Sequence, residues 1–273
     1  MSADPTKIAV YCQGTFSTPN PTPSQQQVMI AAADDLAGSG FGTVLLGQWH
    51  VHSDGTLYYN TSPLDTVSWA MTTIPTILRN GATHVPLTFG PFAADFKGIA
   101  EHLPEFKSAV EHIISMSNGA VNGLDWDLEG DYKHFEDLLV ELTDWASGLK
   151  LTVTAAPYNH HQAWTDVLAR TNKNGPGFSW WNLQLYGGAD YGSWVDYVTG
   201  LVPSPQSFLV PGFNIASMSP FDLQVALAPL QHQYQLLDGA FIWRYEDIAP
   251  NGYKTSEYAK AIVAALSGQS VLA

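Results

Sequence analysis

Cysteine is almost missing from this chain: Cys12 stands alone, so no intrachain disulfide can form and no cysteine cluster can hold a metal. A lone thiol in an apolar run is expected to pack as a small hydrophobe. Basic residues are scarce too, 11 Lys and Arg against 25 Asp and Glu, for a formal net charge of −14. So negative a surface repels polyanions at long range, and neither nucleic acid nor anionic membrane is expected as a partner. A neutral ligand such as a carbohydrate meets no such barrier. No apolar run approaches the ~20 residues of a membrane span, and the opening segment, Met1 to Lys7, has no apolar stretch after its charges. The expectation is a soluble chain, cytoplasmic as it stands or secreted if a signal has been removed. Pro- or Ser-rich linkers and charge blocks are lacking as well, so one domain over residues 1–273 is expected.

Aromatic residues, by contrast, abound. Nine Trp, twelve Tyr and twelve Phe in a chain that is 45% hydrophobic exclude a disordered or coiled-coil profile. Aromatics in surplus often line grooves that stack flat apolar faces such as sugar rings.

Hydrophobic periodicity predicts eight strands, near Ile8–Gln13, Gly42–Trp49, His84–Phe89, Val121–Glu129, Leu149–Ala155, Trp180–Tyr186, Phe208–Phe213 and Ala240–Trp243. Helical patterns fill the intervals, at Ser24–Leu36, Asp65–Leu78, Pro104–Met116, Lys133–Ala146, Trp164–Arg170, Tyr191–Val198, Pro220–Leu237 and Ser256–Leu266. Glycines follow many of them, as expected where helices stop. Strand and helix thus alternate eightfold, with room for a crossover helix after every strand, which predicts an α/β fold of the single (β/α)8 TIM-barrel type.

Within the fourth strand, Asn122-Gly-Leu-Asp-Trp-Asp-Leu-Glu129 carries carboxylates at alternate positions. Successive strand side chains point to opposite faces, so Asp125, Asp127 and Glu129 share one face and Leu124, Trp126 and Leu128 the other. In a barrel the apolar face packs under the helices and the acidic face turns inward. Glu129 then falls at the carboxyl end of the strand, where barrel enzymes place their active sites.

This octapeptide resembles the Asp-x-x-Asp-x-Asp-x-Glu signature of glycoside hydrolase family 18. Leu151-Thr-Val-Thr-Ala155-Ala156-Pro157 resembles the fifth strand of plant class III chitinases, Asn182-Leu-Gln184-Leu-Tyr186 the sixth, and Gly239-Ala-Phe-Ile-Trp243 the eighth; Pro86-Leu-Thr88-Phe-Gly90 is a looser match to the family's Ser-x-Gly-Gly turn. The resemblance implies a hydrolase acting at N-acetylglucosamine by substrate-assisted catalysis, without metal or cofactor. It implies that Glu129 is the acid and then the base, its proton held by partial burial and neighbouring charge, and that Asp127 grips the acetamido N–H. Asp125 would share a proton or hydrogen bond with Asp127, the two titrating as a coupled pair. Tyr186 would donate to the acetamido oxygen, Gln184 would support the sugar and Trp243 would form the floor beneath it, while Tyr158, just beyond the fifth strand, would either contact the same region or lie in a surface loop. Asn122 departs from the family's first Asp, which keeps the hydrogen bonds and drops one charge.

The substrate implied is a chitin oligosaccharide, or alternatively an N-glycan core cut by an endo-β-N-acetylglucosaminidase; a sugar-binding lectin or an inhibitor on the same fold is the non-catalytic alternative. A monomer is expected. His50 and His52, two apart, have the spacing of metal ligands but lack a third by spacing. His160-His161 reads as a solvated loop. Asp54-Gly55 reads as a hairpin turn that could wall one side of a groove.

Overall fold

The computed structural model describes residues 3–130 and 134–268. Its strands are β1 (Ile8–Cys12), β2 (Thr43–Val51), β3 (Leu57–Tyr59), β4 (Ser62–Pro63), β5 (Pro86–Phe89), β6 (Gly123–Trp126), β7 (Thr152–Ala155), β8 (Trp180–Gln184), β9 (Leu209–Asn214) and β10 (Ala240–Trp243). Strands β1, β2 and β5 to β10 run parallel in chain order, and β1 pairs with both β2 and β10, which closes them into an eight-stranded barrel. The small strands β3 and β4 fold back antiparallel on the end of β2. Gly55, at φ 80°, turns the chain between β2 and β3, as Asp54-Gly55 predicted.

Helices α1 (Pro23–Gly38), α2 (Ser68–Leu78), α3 (Ala93–Glu101), α4 (Leu103–Met116), α5 (Glu136–Gly148), α6 (His161–Asn174), α7 (Tyr191–Val198), α8 (Pro205–Phe208), α9 (Pro220–Tyr234) and α10 (Thr255–Leu266) fill the crossovers and follow the last strand. The (β/α)8 TIM barrel expected from periodicity is therefore present. Helix α3 was not anticipated, because a nine-residue helix with a central glycine, Gly98, offers little periodic signal. The start expected at Lys133 lies outside the described residues. Among those described, no helix is long and apolar enough to cross a membrane.

Two apolar layers follow from strand alternation. Outward residues such as Val44, Leu46, Leu87, Leu124, Trp126, Leu183 and Ile242 join the large core beneath the helices. Inward residues Ala9, Tyr11, Leu45, Trp180, Val210 and Phe241 form a smaller cluster within the barrel, with Trp243 packed against it. The Trp180–Trp181 pair divides accordingly: Trp180 enters the barrel, while Trp181 lies against Trp164 and Trp194 of the surrounding helices. Gly212 faces Phe241 across neighbouring strands, and a Cβ there would sit 1.9 Å from Phe241 Cζ, so only glycine leaves room for the ring. Overpacking a core costs roughly 1–3 kcal/mol. Gly212→Ala should lower thermal stability by at least that amount in a circular-dichroism melt, and an unchanged melting curve would refute this account of the barrel interior.

Candidate active site

The acidic ladder straddles the end of β6. Strand pairing stops at Trp126, short of the Glu129 expected, yet the extended pattern continues because the Asp127 N–H donates to Phe89 O and the Glu129 N–H to Pro91 O, both at 2.9 Å. Gly90 allows this approach: its φ is 131°, and a Cβ would lie 1.9 Å from Asp127 O. Alternation therefore survives beyond the strand, and exposure rises along the ladder. Asp125 is fully buried, Asp127 is 4% exposed, and Glu129 is exposed. The partial burial expected for Glu129 is not found, because the strand has ended and its side chain stands at the barrel mouth.

Asp125 lies in a neutral cage. Thr154 Oγ1 donates to its Oδ1 at 2.5 Å, Tyr11 Oη to its Oδ2 at 3.0 Å, and Asn182 Nδ2 to Oδ1 at 3.3 Å and to Tyr11 Oη at 3.1 Å. Trp180 Nε1 in turn donates to Asn182 Oδ1 at 3.0 Å, which fixes the amide. Burial pushes the carboxyl up to about 6, and the surrounding hydrogen bonds oppose but do not cancel that shift.

Asp127 is held by two amides. Gln48 Nε2 donates to Oδ2 and Gln184 Nε2 to Oδ1, each at 2.8 Å. Desolvation, then the charges of Glu129 and Asp125, raise its carboxyl well above the usual range. Gln184 Nε2 also donates to Ala156 O at 2.8 Å and Glu129 Oε1 at 3.1 Å. Two hydrogens cannot fully serve three acceptors, so the longest bond, to Glu129, is the one most readily surrendered. The hydrogen bond expected between Asp125 and Asp127 is not made, since each carboxylate is engaged by its own donors. They interact through space instead.

Above Asp125, beside Asp127 and Glu129, lies a hollow of about 400 Å³ whose lining includes Gln13, Gln48, His50, Phe92, Asp127, Glu129, Gln184, Tyr186 and Trp243. Tyr186 follows β8 in a 3-10 turn, with its ring edge-on to Phe241 at 6.3 Å. The residue is 38% exposed. Its hydroxyl is nonetheless desolvated and sits in the negative field of Asp127, Glu129 and Asp125, which keeps it protonated far above neutral pH. Trp243 ends β10 and packs 5.3 Å from Tyr11. It is the one tryptophan of nine on this lining, which it shares with the aromatic rings of Phe92 and Tyr186; the other eight tryptophans pack in or against the barrel and helix cores.

Other expected residues are placed differently. Tyr158 is not on the lining: its ring packs against Gly187, beside the turn that carries Tyr186. His161 opens α6 and stacks on Tyr197 at 4.5 Å, whereas His160, just before the helix, is exposed in the loop as expected. His52 stacks on Tyr58 at 4.0 Å, whereas His50 bonds Asp95 through Nδ1 at 3.1 Å, so the two are engaged by different partners. Among the described residues, no three His, Cys, Asp or Glu come together to hold an ion. Asn122 is a structural clip at the foot of the strand. Its Oδ1 accepts from the Val85 N–H at 2.8 Å and its Nδ2 donates to Thr83 O at 3.1 Å, so it touches neither ladder carboxylate.

Gln48 was not anticipated. Counting alternately from inward Leu45 places it under the helices, but the register between β2 and β5 shifts between Leu46 and Trp49, so Trp49 joins the outer core and Gln48 turns inward.

No family model matches the sequence, and no curated protein matches it. Solved structures do. A family GH18 chitinase from Pseudoalteromonas aurantia superimposes with a TM-score of 0.66 at 14% identity, over 95% of this chain and 100% of that one. The catalytic domain of a GH18 chitinase from the fern Peteris ryukyuensis gives 0.64 at 13%, over 95% and 98%. Active domain 2 of a thermostable chitinase from Pyrococcus furiosus, complexed with chito-oligosaccharides, gives 0.62 at 10%, over 97% of each chain.

Both buried carboxyls are raised in the folded protein, which therefore binds their protons more tightly than the unfolded chain does. Their contribution to stability is fully present below the ordinary carboxyl value of 3.8 and is lost as pH rises from there through about 6 for Asp125 and beyond for Asp127. For Asp125 the loss is on the order of 3 kcal/mol. The melting temperature should fall from pH 5 to pH 8, and Asp127→Asn should flatten the fall; a wild-type melting temperature independent of pH across that window would contradict these shifts. By fold, the chain is similar to the chitinases of glycoside hydrolase family 18.

Proposed function

We propose that this chain is a retaining glycoside hydrolase that cleaves β-1,4 linkages at N-acetylglucosamine, chitin oligosaccharides being its substrate class. The observation that carries the reading is the bridge of Gln184 between Asp127 and the exposed Glu129, at the carboxyl end of the fourth barrel strand, beside Tyr186 and Trp243. A chitinase fold solved with chito-oligosaccharides supports the same substrate class.

The sugar at the cleavage point stacks on Trp243, with its acetamido group directed toward Asp127 and Tyr186. Glu129 gives its proton to the glycosidic oxygen as that bond breaks. The acetamido carbonyl oxygen attacks the anomeric carbon from the opposite face and forms a cyclic oxazolinium. Asp127 accepts the acetamido N–H and balances the positive charge that develops, while the Tyr186 hydroxyl donates to the acetamido oxygen and orients it. Water, deprotonated by Glu129, then opens the oxazolinium on the face the leaving group vacated, so configuration is retained. No side chain forms a bond to the sugar.

Glu129→Gln should lower kcat on chitin oligosaccharides by roughly 10²–10⁴-fold. Asp127→Asn should lower kcat by orders of magnitude while oligosaccharide affinity largely survives, because the lost interaction strengthens in the transition state. Chain shortening of chitin oligosaccharides, and no mass shift of a high-mannose glycoprotein, is the expected result. Cleavage of the glycoprotein alone would instead favour the N-glycan core, and sugar binding without cleavage of either, unaltered by Glu129→Gln, would overturn the hydrolase reading.

A further inference from the structure

We infer that Gln48 is a positioning residue of the site, holding one oxygen of the Asp127 carboxyl while Gln184 holds the other, and favouring its ionised form against the burial and neighbouring charge that oppose it. Its role in turnover rests on the reading just given, but its hold on Asp127 does not. Three observations carry it. The Gln48 side chain is buried, and Nε2 lies 2.8 Å from Asp127 Oδ2, so a desolvated carboxylate receives a neutral N–H donor where a hydrogen bond to a charge is strongest. Each oxygen of Asp127 has a different amide donor, on β2 and on β8, which defines both the plane of the carboxylate and its distance from Asp125 beneath. Finally, the register shift between Leu46 and Trp49 brings Gln48 inward at this level of the barrel, where alternation would have placed Trp49.

The orientation of the Gln48 amide follows from the same charge. An ionised Asp127 accepts only, so Nε2 faces it and Oε1, buried and without a partner, is turned away. The ionisable groups facing Asp127 are Asp125 below and Glu129 above on its own segment, Tyr11 from β1, and Tyr186 from the turn after β8. The two carboxylates disfavour its charge, as does burial; Gln48 and Gln184 favour it. Removing the Gln48 donor shifts that balance toward the protonated form, in which Asp127 is a weaker acceptor for an acetamido N–H and has no charge to set against the oxazolinium.

The test is Gln48→Met, close to isosteric but without a donor, alongside Gln48→Glu, which presents a carboxyl at the same reach. Carboxyl carbon NMR titration, with the Asp127 signal assigned by Asp127→Asn, reads the balance without any need for turnover. Gln48→Met should raise the Asp127 midpoint by about one pH unit, the effect of one charge-assisted hydrogen bond. Gln48→Glu should raise it further. The acid limb of kcat for chitin oligosaccharides should move upward by the same amount, with KM on the alkaline side little changed. An unmoved Asp127 midpoint in a variant that melts like wild type overturns the inference. If wild type cleaves no chitin oligosaccharide, the functional reading fails, and the titration still decides whether Gln48 holds Asp127.

Discussion

Two carboxyl groups buried one above the other inside a closed barrel set the terms for the rest of this structure. Among the described ion pairs, none involves Asp125 or Asp127. Neutral donors serve them instead, from β1 (Tyr11), β2 (Gln48), β7 (Thr154) and β8 (Asn182 and Gln184). A basic partner would cancel their charge and pull their proton affinity down. Hydroxyls and amides orient them while leaving burial to push that affinity up. The interior is thereby built to hold protons at pH values where an ordinary carboxyl has lost them.

Closure of the sheet is what makes such an arrangement affordable. Donors from four strands can converge on one point only if those strands surround it, and they keep their places because the outer layer of Leu, Ile, Val and Trp side chains is packed against the helices. The outward half of the ladder segment shares in this directly, since Trp126 donates through Nε1 to Thr143 Oγ1 on α5 at 3.2 Å. Packing on one face thus fixes the register of charge on the other.

The same geometry separates three chemically identical groups by depth. Asp125 is sealed below, Asp127 lines the hollow, and Glu129 stands in the mouth, where the longest of the Gln184 contacts reaches it. A group that must both give and recover a proton needs access to substrate and water, and Glu129 has it. A group that must hold its direction needs two fixed partners, and Asp127 has those.

The eightfold alternation, the barrel class and the acidic face at Asp125, Asp127 and Glu129 were legible from the sequence alone, because period-two and period-3.6 patterns record which side of each element is buried. The sequence could not give Gln48, because a register shift between strands leaves no mark on the residues of one strand. Nor could it place Tyr158 against Gly187, His161 against Tyr197, or Asn122 on the Val85 and Thr83 backbone, since each of those positions depends on which neighbour the fold supplies. The chain by itself determined that three carboxylates would point into a barrel; only the tertiary structure decided which donors met each one, because a hydrogen bond between distant residues exists only after closure has brought their strands together.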